Sequence, residues 1–272
     1  MKGVRGMEHY SPYVTIAGLT FDLPVVLMST ITALLVFLLV FFASRNMTAG
    51  VPTGLQNFFE WVIEFVRGIA GQFMDAKTAT KFVPLALALI LYIFIGNQLG
   101  VFANFTVAYT EPAPAVGITQ EIFDKKAHEV THNGHTIKEV SVAWFKSPTA
   151  APSVTFALAL LVLIYAHILG IRKDPKAYVK HWFEPNPVMF ILHAMEEFII
   201  KPLTLPLRLF GNIFAGEVLI AFMLGALALG SYFVGLPLIV WIGYSIFVGA
   251  IQAYIFTTLT LVYISQKVVD DH

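Results

Sequence analysis

Four stretches of this chain run without an Asp, Glu, Lys or Arg: 22 residues from Leu23 to Ser44, 29 from Phe82 to Thr110, 25 from Ser147 to Ile171 and 49 from Val218 to Gln266. A helix crosses a ~30 Å hydrocarbon core with ~20 mostly apolar residues. The first three runs therefore hold one span each. The fourth breaks at Gly230-Ser231 and Gly235-Leu236-Pro237, where turn chemistry is concentrated. It holds most of two spans, but only 12 residues separate Glu217 from Gly230. That span must begin upstream and carry Glu217, and with it Arg208 if it is long enough, into the membrane. The remaining composition agrees. Charged residues make up 12% of the chain, against ~25% in soluble domains. Lys+Arg and Asp+Glu balance at 17 each, which disfavours a nucleic-acid partner. There is no Cys, so disulfides, thiolate nucleophiles and Cys-ligated metals are excluded. The expected fold class is an all-α polytopic membrane protein with about five crossings.

The expected layout is one membrane domain over residues 1–272. It comprises an outer tail (1–22), a span (23–44), an interfacial helix (53–75), a span (82–105), an outer loop (106–150), a span (147–171), and a tilted helical hairpin (187–229 and 231–266). Five crossings put the termini on opposite sides. The segments Arg45–Lys81, Arg172–Lys201 and the tail after Gln266 hold ten Lys/Arg, and the opposite set holds six. The positive-inside rule then places the first set in the cytoplasm, with the N-terminus outside. The first 22 residues lack the apolar stretch and small-residue site of a cleavable signal.

Residues 53–75 differ from the spans. Leu55, Phe58, Phe59, Val62, Ile63, Val66, Ile69, Ala70 and Phe73 recur at three- and four-residue steps, with Gln56, Asn57, Glu60, Glu64, Arg67 and Gln72 mostly off the stripe. This predicts an amphipathic helix lying in the cytoplasmic interface. In the 106–150 loop, His128-Glu129-Val130-Thr131-His132 spells the H-E-x-x-H of zinc proteases. That chemistry needs both His on one helix face. Here the string runs into Asn133-Gly134, a strong hairpin signal, and both flanks alternate like strands. The reading is a hairpin with solvated histidines, and no metal site or cofactor is expected.

Residues 187–229 are mainly apolar yet hold His193, Glu196, Glu197, Lys201, Arg208 and Glu217. As one helix they run ~64 Å, about twice the core thickness, so the segment tilts or kinks at Pro202 and Pro206. Glu196, Glu197 and Lys201 are either interfacial charges or part of a polar path. Arg208 is more demanding, because an Arg at mid-membrane costs ~2.5–3.5 kcal/mol even on insertion scales. With Gly230 as the hairpin centre, Arg208 lies 22 residues before it and Gln252 lies 22 after, at one depth. Tilting by roughly 60° brings that depth to the midplane. Asn212 shares the face of Arg208, whereas Glu217 lies about 180° round the helix. Ser245, Gln252 and Gln266 form one polar stripe on the last helix, which can equally be interhelical hydrogen-bond glue. The pattern is a fixed cation with acids on either side. That suits a mobile carboxylate supplied by another protein. An independent transporter or channel with an anion-binding Arg is the rival reading.

Leu203-Thr204-Leu205-Pro206-Leu207-Arg208-Leu209-Phe210-Gly211-Asn212-Ile213-Phe214-Ala215-Gly216-Glu217 closely resembles the signature of subunit a of rotary F-type ATP synthases. Ile251-Gln252-Ala253-Tyr254-Ile255-Phe256 resembles that family's last-helix motif. The resemblance implies a non-catalytic stator in a bacterial plasma membrane, beside a ring of c subunits and held by b-type peripheral stalk subunits. It implies that c-ring carboxylates pass Arg208, taking protons from one half-channel and releasing them to another. Glu217 then belongs to the outer half-channel, Asn212 and Gln252 surround the Arg, and Glu196, Glu197 and His193 fit the cytoplasmic path. Some members carry His where this chain has Ser245. A Ser does not titrate near neutral pH, so proton uptake here leans on Glu217 and water.

Overall fold

Local capping chemistry decides where the helices begin. Asp22 Oδ1 accepts the Val25 N–H at 3.2 Å, and Pro24 sits in the first turn, where no donor is needed. Helix α1 follows, Leu23–Ser44. In the computed structural model, the described residues are 10–45, 47, 48, 50–103, 106–132, 135–183, 186, 188–228 and 230–269. Helix α2 is Gly54–Ala70, its first residue at φ +56, a left-handed conformation that suits glycine. Helix α3 is Ala76–Phe102. It starts earlier than the uncharged run because Asp75 caps it, accepting from Lys77 N at 3.0 Å and Thr78 N at 3.1 Å. The Thr78 side chain and N–H hold that carboxyl below the usual range.

Helix α4, Gln120–Lys126, lies in the polar connection. Helix α5 is Pro152–Lys173, and α6 is Pro175–His181. The expected span from 147 starts later, because Pro148–Ala150 form a 3₁₀ turn instead. Helix α7, Met189–Met195, passes through a π turn at Glu196–Ile200 into α8, Lys201–Ala228. The wide turn falls just before Pro202, which has no N–H to give an α-helical ladder. Gly230 turns the chain at φ +90, and α9 runs Gly235–Val268. Among the described residues, five helical segments are long and apolar enough to cross a membrane, 22 to 39 residues each. The chain is an all-α polytopic membrane protein.

The strands are confined to the polar segments. β1 (Tyr13–Ile16) and β2 (Leu19–Asp22) form a hairpin in what was expected to be a plain tail. β3 (Thr106–Tyr109), β4 (His128–His132) and β5 (His135–Ala143) form an antiparallel sheet in the order β3-β5-β4. Ile118, Phe123, Val140 and Val142 make its core. The Tyr10 N–H donates to Ser141 O at 2.8 Å, so the N-terminal hairpin and the sheet share one end of the bundle. The H-E-x-x-H string is extended, with His132 opposite His135, so its two histidines do not share a helix face. Asn133-Gly134 lies outside the described residues. No group of three or more His, Asp or Glu suited to a metal occurs among the described residues.

Helix α3 is the packing centre. Val66 and Ile69 of α2, Phe82 and Val83 of α3, Ala166 of α5, and Leu261 and Ile264 of α9 form one cluster. Leu89 and Ile93, Ala159 and Val162, Leu205 and Leu209, and Ala253 and Phe256 form the next, joining α3, α5, α8 and α9. Small residues set the approach: a Cβ on Gly249 would stand 3.1 Å from Asn97 Cβ. Outward positions such as Phe37, Phe42, Leu161 and Ile164 are exposed and apolar, as a lipid-facing surface requires. One part of the amphipathic pattern is corrected. Gln56, placed on the polar side by periodicity, is buried: its amide binds Thr48 O at 2.9 Å and Glu60 Oε1 at 2.7 Å.

Candidate functional site

On α8 the residues Leu205, Leu209 and Ile213 are buried against α3, α5 and α9. The Arg208 and Asn212 side chains, one turn apart, fall on the open face and are exposed. Among the described residues Arg208 makes no ion pair. Gln252 is buried on α9, next to Ala253, which packs in the same cluster as Leu209.

Glu217 has a different setting. Its Oε1 accepts the Ser147 backbone N–H at 2.8 Å. Gly100 of α3 permits that approach: a Cβ there would stand 2.5 Å from Glu217 Oε1 and would collide with Ser147. Ser147 Oγ donates to Gly96 O at 3.0 Å and lies 2.6 Å from Thr149 Oγ1. Thr149 Oγ1 donates to Asn97 Oδ1, and Asn97 Nδ2 donates to Gly249 O at 2.8 Å. Asn97, Ser147 and Thr149 are all buried. Two hydroxyl protons serve three contacts, so this network has more than one proton arrangement.

Two cavities meet at Glu217. The inner one, about 120 Å³, is lined by Asn97, Asn212, Glu217, Tyr244 and Ser245 among others. Ser245 is buried and its Oγ has no hydrogen-bond partner among the described residues. A polar cavity of that size has room for water. The outer one, about 380 Å³, runs from Glu217 and Ala221 to Ser11 and Lys146. Lys146 lines it at the end away from the inner cavity.

At the other end of α8, Glu197 is buried and clamped. Lys267 Nζ is 2.6 Å from its Oε1, Lys201 Nζ is 2.9 Å away, and His167 Nε2 is 3.6 Å from Oε2. Lys201 also reaches Glu196 at 3.2 Å and Gln266 Oε1 at 3.1 Å. His193 Nδ1 lies 3.3 Å from Trp182 O. A cavity of about 220 Å³ is bordered by His193, Glu196, Glu197, Lys201 and Lys267. From sequence, Glu197 and Lys201 were either interfacial charges or part of a polar path; in the fold they form a buried ion cluster with Lys267.

Comparison with known proteins gives the context. The family described as "ATP synthase A chain" matches residues 26–265. The chain belongs to the ATP synthase A chain family. Similar proteins include ATP synthase subunit a of Anoxybacillus flavithermus, 44% identical over 98% of this chain and 100% of that protein. Those of Priestia megaterium and Listeria monocytogenes are 40% and 41% identical, again over 98% of this chain and 100% of each.

Three residues singled out from sequence share the inner cavity: Glu217, Asn212 and Ser245. Another three border the cavity at the far end: His193, Glu196 and Glu197. Arg208 and Gln252 line neither. Sequence reasoning missed Asn97, Ser147, Thr149, Lys146, His167 and Lys267. The Asn97-Gln98 pair inside an otherwise apolar run was the available signal for the first. His167 stands inside the apolar α5 run, the others are ordinary polar residues at helix or loop boundaries, and only the fold brings them to the acids.

Proposed function

We propose that this chain is the stator channel through which protons reach and leave a ring of c subunits in a rotary ATP synthase. Its family acts in ATP synthesis and proton transport, and its five apolar helices and bacterial relatives make it a multi-pass plasma-membrane protein. The observation that carries the finer reading is Arg208: a guanidinium exposed on an apolar helix, with no ion pair among the described residues. Such a charge in the membrane needs a counter-ion. A carboxylate carried past it by the rotor supplies one.

In this mechanism a c-ring carboxylate is ionised only beside Arg208, which favours the charged form. It takes its proton from the outer half-channel, through Glu217 and the cavity shared with Asn212 and Ser245. It releases a proton toward the cytoplasm past Glu196, Glu197 and His193. Arg208 also blocks direct proton passage between the two half-channels. Gln252, at the matching depth on α9, helps hold the guanidinium. The charge bias of the connecting segments supports an outer N-terminus and a cytoplasmic C-terminus, with α2 at the cytoplasmic face as a docking element for the b-type stalk. Family membership argues against an independent transporter.

The test is replacement of Arg208 in the reconstituted complex. Arg208→Ala and Arg208→Lys should both abolish ATP-coupled proton transport while the complex still assembles, and Arg208→Ala should in addition leak protons. Lys keeps a charge but lacks the planar multi-donor fork and loses its proton more readily in a dry site. Near-normal ATP synthesis by Arg208→Ala under a proton gradient refutes the mechanism.

A further inference from the structure

The outer cavity is lined on one side by α8 and on the other by Tyr10 and Ser11 just before β1, Thr106 of β3, Ala143 of β5 and the segment before α5. The N-terminal piece and the segment before α5 meet in one small polar cluster. Ser11 Oγ donates to Asp22 Oδ2 at 2.8 Å, and Lys146 Nζ reaches Ser11 Oγ at 3.1 Å and Asp22 Oδ2 at 3.3 Å. Asp22 is also the cap of α1, so the hairpin side is anchored. The next residue after Lys146 is Ser147, whose N–H holds Glu217. The inner end of this segment is fixed by the buried Ser147, Thr149 and Asn97 network. Its outer end is held by an ion pair whose side chains remain 25% and 35% exposed.

We propose that Ser11, Asp22 and Lys146 form a latch over the outer mouth of the Glu217 path, with Lys146 as the positioning residue. The inference rests on the reading of Glu217 as the outer proton relay. An ion pair that stays partly open to solvent can open and close without unfolding anything. When it opens, the segment bearing Ser147 loses its outer tether, and the cavity between Lys146 and Ala221 widens. When it is closed, Lys146 stands as a fixed cation at the mouth. The latch therefore sets how Glu217 is presented to the outside, and Lys146 itself carries no proton in the path.

The chain has no cysteine, so Ala221→Cys places a unique thiol of this subunit in the outer cavity. In the assembled complex, in right-side-out vesicles, its labelling by a membrane-impermeant thiol reagent reports the opening of the mouth. Lys146→Met and Asp22→Asn should each speed labelling from outside by about two- to five-fold, the range an exposed ion pair can hold closed. Both should slow proton-driven ATP synthesis. Lys146→Arg should keep both measures near the parent value, and the exchange of Asp22→Lys with Lys146→Asp should recover most of the loss seen in either single variant. Labelling from outside at an unchanged rate in Lys146→Met and Asp22→Asn overturns the latch alone. So does an exchanged pair no better than its parts. Labelling of Ala221→Cys only from the cytoplasmic side overturns the proposed topology itself.

Discussion

Gly100 offers a direct way to disturb Glu217 without touching its chemistry. A Cβ at this position would stand 2.5 Å from Glu217 Oε1 and 2.9 Å from Ser147 Cα, and would strike Ser147 Cβ. The carboxylate end can swing away, but the Ser147 backbone cannot. Overpacking of this kind costs ~1–3 kcal/mol, and replacing a helical glycine by alanine returns ~1 kcal/mol of helix propensity. The net stability change is then ~0–2 kcal/mol, so the subunit should fold and assemble. The functional effect is larger. The displaced carboxyl loses its bond from the Ser147 N–H, a contact worth ~1.5–3 kcal/mol when the acceptor is charged. At 1.36 kcal/mol per tenfold, that corresponds to about a 10- to 150-fold loss of the held geometry.

ATP-driven proton pumping in inverted vesicles, normalised to assembled complex, is the assay. Gly68→Ala in α2 is the matched control, because a Cβ there meets nothing within 4 Å. Gly96→Ala, whose Cβ would be 3.2 Å from Pro148 Cγ, should fall between the two. The expected order of pumping is Gly68→Ala, then Gly96→Ala, then Gly100→Ala well below both. Equal pumping by Gly100→Ala and Gly68→Ala, at equal assembly, refutes the link between the Ser147 contact and proton flux.

Glu217→Gln should slow ATP-driven pumping without preventing assembly, and Ser245→His should restore part of it, since both residues line the inner cavity. Unimpaired pumping by Glu217→Gln vesicles would remove Glu217 from the path. Glu197→Gln should destabilise the subunit more than Lys267→Met, because it strips a buried acid from two lysines, a class of change that costs ~3–5 kcal/mol. Thermal loss of assembled complex in detergent reads the difference, and equal midpoints contradict the clamp. A cysteine at Glu64 should label from the cytoplasmic side only, and labelling from outside would reverse the topology.

The helices were legible because a bilayer leaves a chain little freedom. Uncharged runs such as Leu23–Ser44 have to become helices, since no water is present to satisfy their backbone. Arg208 and Glu217 stood out for the same reason, as costly residues in an apolar setting. What supports Glu217 was hidden. Ser147 lies 70 residues away in sequence and touches it through backbone N–H, a donor every residue but proline carries. Lys267 and Glu197 are also 70 residues apart and look like separate boundary charges until α8 and α9 pack. Gln56 was misplaced because periodicity sees its position on a helix and not the Thr48 backbone beside it. The N-terminal hairpin escaped because two four-residue strands give little pattern to read.

Neither end of α8 offers Arg208 an unpartnered carboxylate, which bears on the proposal that a partner supplies one. The nearest acid upstream in the chain is Glu197, 11 residues back and ~16 Å along the axis. It is already committed to Lys201 and Lys267. The nearest acid downstream is Glu217, nine residues on and about half a turn round, and it is held on the far side by Ser147. Each acid thus has its own in-chain partners, and the guanidinium on the open face of α8 has none among the described residues. The lysine clamp and the Ser147 contact occupy these two carboxylates within the chain. In the mechanism proposed above, the attraction of Arg208 then goes to a carboxylate that arrives from outside and leaves again.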